Sequence, residues 1–134
     1  MGRGSLKAVV DTSVVIAYLL EEPGGDWLDK AVDAESVMSE FNLAEVVRRQ
    51  MRDGVSPENA LRVASTIGLD FVPFNQVIIA EMAKIFPFEK RANLSLADCA
   101  CLATAKNLRL PALTADKAWA EIAGEVGVEV VVVR

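Results

Sequence analysis

The chain has 134 residues, the size of one domain, is 52% hydrophobic, carries a net charge of −5 and contains no histidine. The missing imidazole excludes Ser-His-Asp and Cys-His hydrolysis, histidine-based RNA cleavage and zinc sites that rely on histidine. The acidic balance on its own argues against nucleic-acid binding, the apolar content points to a face covered by a partner, and a hydrolase of this composition must rely on carboxylates and hard metal ions.

Along the chain, short apolar runs alternate with helical patterns. Residues 7–10 read as a strand that stops at Asp11, and residues 12–20 as a helix ended by Pro23-Gly24-Gly25. A short helix over 27–32 and a strand over 36–39 follow. Residues 41–52 form a helix with Leu43, Val46, Val47 and Met51 near helical spacing, closed by Asp53-Gly54. Ser56 as N-cap and Pro57 at the first position open a helix that runs to about residue 67 and ends at Gly68. A third strand is expected at 70–73, a helix at 75–86 stopped by Pro87, and a polar, basic loop at 88–93. Residues 95–107 read as an alanine-rich helix, 111–114 as the fourth strand and 117–123 as a helix. The β-branched run 128–133 is expected of a strand buried on both faces.

This alternation implies a parallel sheet covered by helices on both faces. Ligands of such sheets bind in the crevice beyond the carboxyl ends of the strands. Residues 1–5 read as a cloning-derived or disordered start, leaving 6–134 as one domain. No run reaches the roughly 18 apolar residues of a membrane span, and no signal peptide opens the chain, so a cytoplasmic protein is expected. Cys99 and Cys101, two apart on a helix, point in different directions and are expected to be unbridged, packed residues of a reducing compartment.

Four acids fall at strand ends or helix starts. Asp11 follows the first strand, and Asp116 lies two residues past the fourth. Asp98 is one turn into the helix opening at Ser95, and Glu45 is about one turn into the helix after the second strand. Each has a structural explanation of its own. Asp11 and Asp116 read equally as N-caps, Ser95 and Asp98 as a capping box, and Glu45 with Arg49 as an i,i+4 ion pair. As a set they are harder to explain this way, because carboxylates gathered in one crevice repel one another. A hard cation relieves that repulsion, and oxygen-only ligands suit Mg²⁺ or Mn²⁺. Such an ion activates water and steadies the charge of an in-line displacement at phosphorus, without histidine.

The same residues resemble the PIN-domain family. Val9-Val10-Asp11-Thr12-Ser13 looks like its opening, and Asn42-Leu43-Ala44-Glu45-Val46 like its second acidic motif. Ser95-Leu96-Ala97-Asp98 with Leu102-Ala103-Thr104-Ala105 resembles the third, and Leu113-Thr114-Ala115-Asp116-Lys117-Ala118-Trp119 the fourth. The order and spacing extend the resemblance from Lys7 to the end of the chain, closest to VapC-type toxins of bacterial or archaeal toxin–antitoxin pairs. The resemblance implies a three-layer α/β/α fold around a five-stranded, mainly parallel sheet. It also implies Mg²⁺- or Mn²⁺-dependent endoribonuclease activity, a homodimer and a DNA-binding antitoxin partner. Asp11, Glu45, Asp98 and Asp116 would form the acidic metal site, with Asp11 and Asp98 as direct ligands. Thr12, Ser13 and Thr114 would orient carboxylates or contact phosphate, although Ser13 reads equally as a first-turn hydroxyl.

An acidic protein can still hold RNA if its charge is segregated and bound cations reverse the sign at the site. Arg48, Arg52, Lys90, Arg91 and Lys117 are candidates for a basic rim, or else ordinary solvated surface. Tyr18 and Trp27 are candidates for the partner surface. The rival reading is a catalytically inert module that binds RNA or a protein. A haloacid-dehalogenase-like phosphatase is disfavoured because Ser13, not an acid, stands two residues after Asp11, and a dinucleotide enzyme because no glycine-rich turn follows the first strand.

Overall fold

A computed structural model describes residues 6–134; the reading of 1–5 lies outside the described residues. Five strands form one parallel sheet in the order β3-β2-β1-β4-β5. They are β1 (Val9–Val10), β2 (Val37–Ser39), β3 (Asp70–Val72), β4 (Ala112–Thr114) and β5 (Val130–Val132). The helices are α1 (Thr12–Leu19), α2 (Trp27–Asp33), α3 (Glu40–Arg52), α4 (Pro57–Thr66), α5 (Gln76–Ile85), α6 (Glu89–Ala92), α7 (Leu96–Leu108) and α8 (Ala123–Val126).

The side-chain alternation of a strand builds two cores, one on each face of the sheet. Val9, Val37 and Ala112 face one core, with Ile78, Met82 and Ile85 of α5 and the buried small residues of α7. Val10, Met38 and Leu113 face the other, with Val14 and Val15 of α1, Leu28 of α2, Val46 of α3 and Val63 of α4. The alanines and cysteines of α7 let that helix lie close under the sheet. Both cysteines are buried and free, and burial raises the Cys99 thiol to about 12. They are packing residues, as the sequence suggested.

Three expectations need correction. The segment 88–93 is no loop: a 3₁₀ turn (Phe86–Phe88) leads into α6, closed by Asn93 at φ 52°. Pro87 ends the α-helix but suits the first turn of the next element, and Phe86 and Phe88 hold that element by packing on the core. The segment 117–123 is a 3₁₀ helix (Lys117–Glu121) followed by α8, anchored by the fully buried Trp119. The valine run near the end is an edge strand, half-buried rather than enclosed. Val130 packs toward one core and Val131 and Val133 toward the other, which accounts for the unbroken β-branched pattern.

The topology fixes where a ligand belongs. From β1 the chain builds outward through β2 and β3, then returns to place β4 on the other flank of β1. The order therefore reverses between β1 and β4, and the crevice of a doubly wound sheet opens beyond their carboxyl ends. Asp11 and Asp116 lie just past those two ends.

Candidate active site

Asp11 is the buried centre of the crevice. Only 3% of it is exposed, and its backbone N–H donates to Leu113 O at 2.9 Å, extending the β1–β4 ladder by one residue. It occupies the N-cap position of α1, yet its side chain makes no capping bond. The carboxylate instead turns across the strand ends. Its Oδ2 accepts from Ser13 Oγ at 2.7 Å and from Thr114 Oγ1 at 2.9 Å. Those hydroxyls accept in turn from Ala115 N at 2.9 Å and Asp116 N at 3.1 Å, which ties the exit of β4 to the start of α1. The other oxygen, Oδ1, is buried with no partner. A buried carboxylate oxygen left bare is costly unless something pairs with it. Burial, and then the charges of Asp98 and Glu45, raise the Asp11 carboxyl from 3.8 to about 7 against the lowering effect of its two hydroxyl donors.

Asp98 and Glu45 act on it through their charge, and Asp116 acts in turn on Asp98. Asp98 stands in the first turn of α7, where its Oδ2 accepts from Ser95 N at 2.8 Å and its own N–H donates to Ser95 Oγ at 3.1 Å. Burial raises the Asp98 carboxyl, with added repulsion from Asp116 and Glu45, while the bonds from Ser95 oppose the rise. Asp116 caps the following 3₁₀ turn, accepting from Ala118 N at 3.0 Å. Glu45, in the second turn of α3, is partly exposed and lines the crevice with Asp11 and Asp98. The four carboxylates therefore share one electrostatic neighbourhood, although two of them also act as caps. Among the described residues no three acidic or cysteine side chains form a ready-made metal-binding group. The chemistry of the donors still fits a hard divalent ion: every donor is an oxygen, and one buried carboxylate oxygen has no other partner.

Asn42 holds these elements in register. It is fully buried on the first turn of α3. Its Nδ2 donates to Thr12 Oγ1 of α1 at 3.3 Å and to Ala97 O of α7 at 3.0 Å, and Thr12 Oγ1 donates back to Asn42 O at 3.2 Å. One side chain thus clasps the starts of the helices that follow Asp11 and carry Asp98 and Glu45.

The cleft has a volume of about 310 Å³, and its rim is basic. Arg48, Arg49 and Arg52 line it from α3. Arg134 closes the opposite side, donating to Pro23 O at 2.8 Å and pairing with Glu22 at 2.9 Å.

The sequence profile of the PIN domain matches residues 8–125. The chain belongs to the PIN domain family. No curated relative matches it by sequence, but solved structures share the fold. A toxin–antitoxin complex from Klebsiella pneumoniae contains a chain 23% identical at a TM-score of 0.68, covering 96% of this chain and 98% of that one. FitAcB from Neisseria gonorrhoeae is 24% identical at a TM-score of 0.65, covering 92% and 95%. VapBC-1 from nontypeable Haemophilus influenzae is 17% identical at a TM-score of 0.68, covering 93% and 96%. At these identities the likeness shows the fold.

In this PIN domain Asp11, Glu45 and Asp98 line the crevice with Thr12 and Ser13, Thr12 being committed to Asn42, whereas Asp116 and Thr114 do not line it, Thr114 being bonded to Asp11. Two readings of the basic residues change. Arg49 pairs with Asp53 at 3.2 Å rather than with Glu45, because the last turn of α3 offers a carboxylate near the helix C-terminus. Arg48 and Arg52 line the cleft, but Lys90, Arg91 and Lys117 do not. Arg91 is bound by Glu125 in two solvent-exposed bonds, of 2.6 and 2.9 Å. Asn42, Glu22 and Arg134 carry no signal in the sequence that marks them for the site. Asn42 stood in plain view inside the second acidic motif, but a polar helix residue gives no sign of burial. Tyr18 is exposed, whereas Trp27 is half-buried with the Lys30 ammonium 4.5 Å above its ring. Among the described residues no helix is long and apolar enough to cross a membrane.

Proposed function

We propose that this PIN domain is a divalent-metal-dependent endoribonuclease and acts as the toxin of a toxin–antitoxin pair in the cytoplasm. The observation that carries the reading is Asp11, buried at the β1–β4 switch point, with one oxygen fixed by two hydroxyls and the other without a partner. Asp11 and Asp98 would hold Mg²⁺ or Mn²⁺ directly, with Glu45 and Asp116 completing the set directly or through water. Such an ion, when bound, supplies the Lewis acid for phosphodiester hydrolysis. Ser13 and Thr114 fix the rotamer of Asp11, and Asn42 sets the spacing between α1, α3 and α7. Arg48 and Arg52, with Arg49 beside them, bind backbone phosphates of single-stranded RNA and offset the net negative charge locally.

The partner reading draws on the solved neighbours, a toxin–antitoxin complex and VapBC-1 among them. An antitoxin would cover part of the exposed apolar surface at Tyr18 and Leu20, and the toxin would form a homodimer. The test is cleavage of a mixed RNA pool by purified protein with Mg²⁺ or Mn²⁺. Cleavage that stops with EDTA and in a folded Asp98→Asn variant supports the reading. No cleavage under either metal by well-folded protein free of antitoxin favours the inert binding module.

A further inference from the structure

A second groove, of about 320 Å³, adjoins the acidic cleft. Phe41, Ala44 and Arg48 of α3 form one wall, and Leu96 with Ala97 at the start of α7 forms the other. Glu45 and Arg48 line both cavities, so the groove is a continuation of the cleft. Its surface is mainly apolar, and Leu96 is 53% exposed in the first turn of a helix whose other side is packed into the core.

The groove is held open by bonds already described. Asn42 ties α3 to Ala97 O across its base at 3.0 Å, and the capping box of Ser95 and Asp98 fixes the turn that presents Leu96. The Phe41 ring is held by Phe74, with centroids 5.0 Å apart. The ligand it suits has a flat apolar body joined closely to an anion, because Arg48 stands where groove and cleft meet and, with Arg49 and Arg52 along the cleft, outnumbers Glu45 at that junction. A nucleotide has that form. The face of a partner helix needs several pockets along one to two turns, whereas this groove is at the lower end of the roughly 300–1,000 Å³ of small-ligand sites.

We infer that this groove is a nucleobase subsite, taking the base next to the scissile phosphodiester of single-stranded RNA against Phe41 and Leu96 while Arg48 binds the phosphate. The RNA identity rests on the proposed nuclease function; the subsite itself is testable without cleavage. Stacking tolerates any base because every base has a π-face. The Ser95 hydroxyl accepts from Asp98 N and keeps its O–H free, a single donor that an acceptor on any base edge can meet. A mild preference for the larger purines follows, rather than a sequence code.

The test is an amide chemical-shift titration of the metal-free protein in EDTA. The probes are adenosine 5′-monophosphate and, separately, inorganic phosphate at matched ionic strength. The nucleotide is expected to shift Ala44, Leu96 and Ala97 together with Arg48, and phosphate to shift the arginine rim alone. Leu96→Ser, at an exposed position, is expected to weaken the nucleotide by about tenfold and to leave phosphate unchanged; Leu96→Met is expected to retain binding. Nucleotide shifts that merely repeat those of phosphate overturn the inference. So does wild-type nucleotide binding by Leu96→Ser, which would return the groove to a protein partner. Nucleotide in the groove of a protein that cuts no RNA keeps the subsite and removes the nuclease reading. RNA cleavage by a protein whose groove ignores the nucleotide does the reverse.

Discussion

Replacing Asp11 with asparagine is expected to stabilise the metal-free protein at neutral and higher pH while removing its proposed activity. The folded carboxyl titrates at about 7 instead of 3.8, chiefly because it is buried. Its protonated form is therefore favoured in the fold. The associated stability is complete below about pH 4 and is lost as pH rises to about 7. Holding the carboxylate ionised above that range costs about 4 kcal/mol, since a tenfold change in proton affinity corresponds to roughly 1.4 kcal/mol. Asparagine carries no such charge. Its carbonyl oxygen keeps the bonds from Ser13 and Thr114, but its NH₂ falls where Oδ1 has no partner, a cost of about 1–3 kcal/mol. The variant is thus expected to be more stable than wild type by about 1–3 kcal/mol at about pH 8 and less stable by a similar amount near pH 4. Urea unfolding in EDTA across that range reads the difference directly. Saturating Mg²⁺ or Mn²⁺ is expected to reverse the order at high pH, adding about 2.7 kcal/mol to wild type at a hundredfold excess over Kd. Parallel stability curves for the two proteins would refute the burial argument.

Other expectations follow from the same geometry. Asn42→Val removes the clasp between α1, α3 and α7 and leaves Ala97 O without its side-chain donor, so a loss of about 2–3 kcal/mol is expected in chemical denaturation. Cleavage should fall further than stability explains, at a temperature where the variant is fully folded; equal loss from both would limit Asn42 to packing. Arg48→Ala and Arg52→Ala are expected to weaken RNA binding and to reduce the salt slope by about one each. Arg91→Ala, whose side chain is occupied by Glu125, should leave the slope unchanged. An equal slope change at Arg91 would contradict the placement of the phosphate path.

Much of this was legible in the chain because apolar runs and strand-end acids are local signals. Asp11 follows a two-residue strand whose neighbours are both buried, and its place at the crevice follows from the parallel sheet alone. Long-range pairings gave no such signal. Arg91 meets Glu125 across 34 positions, away from the cleft lining, and Arg134 meets Glu22 across 112, which brings both of those residues into it. The β-branched run 128–133 predicts more burial than Val130–Val132 have, because such a run looks alike in a central strand and in an edge strand that touches both cores. The capping roles of Asp98 and Asp116 were readable from spacing, and both occur. What spacing does not convey is that capping engages only part of each carboxylate's capacity to accept.

The central claim is that a divalent ion binds where Asp11 leaves an oxygen bare. Titration of Mn²⁺ into the metal-free protein, with free ion followed by electron paramagnetic resonance, measures this without any substrate. Saturable binding by wild type, lost in Asp11→Asn while that variant unfolds cooperatively, is the expected result. Equal Mn²⁺ binding by both proteins, or none by either, would contradict the account.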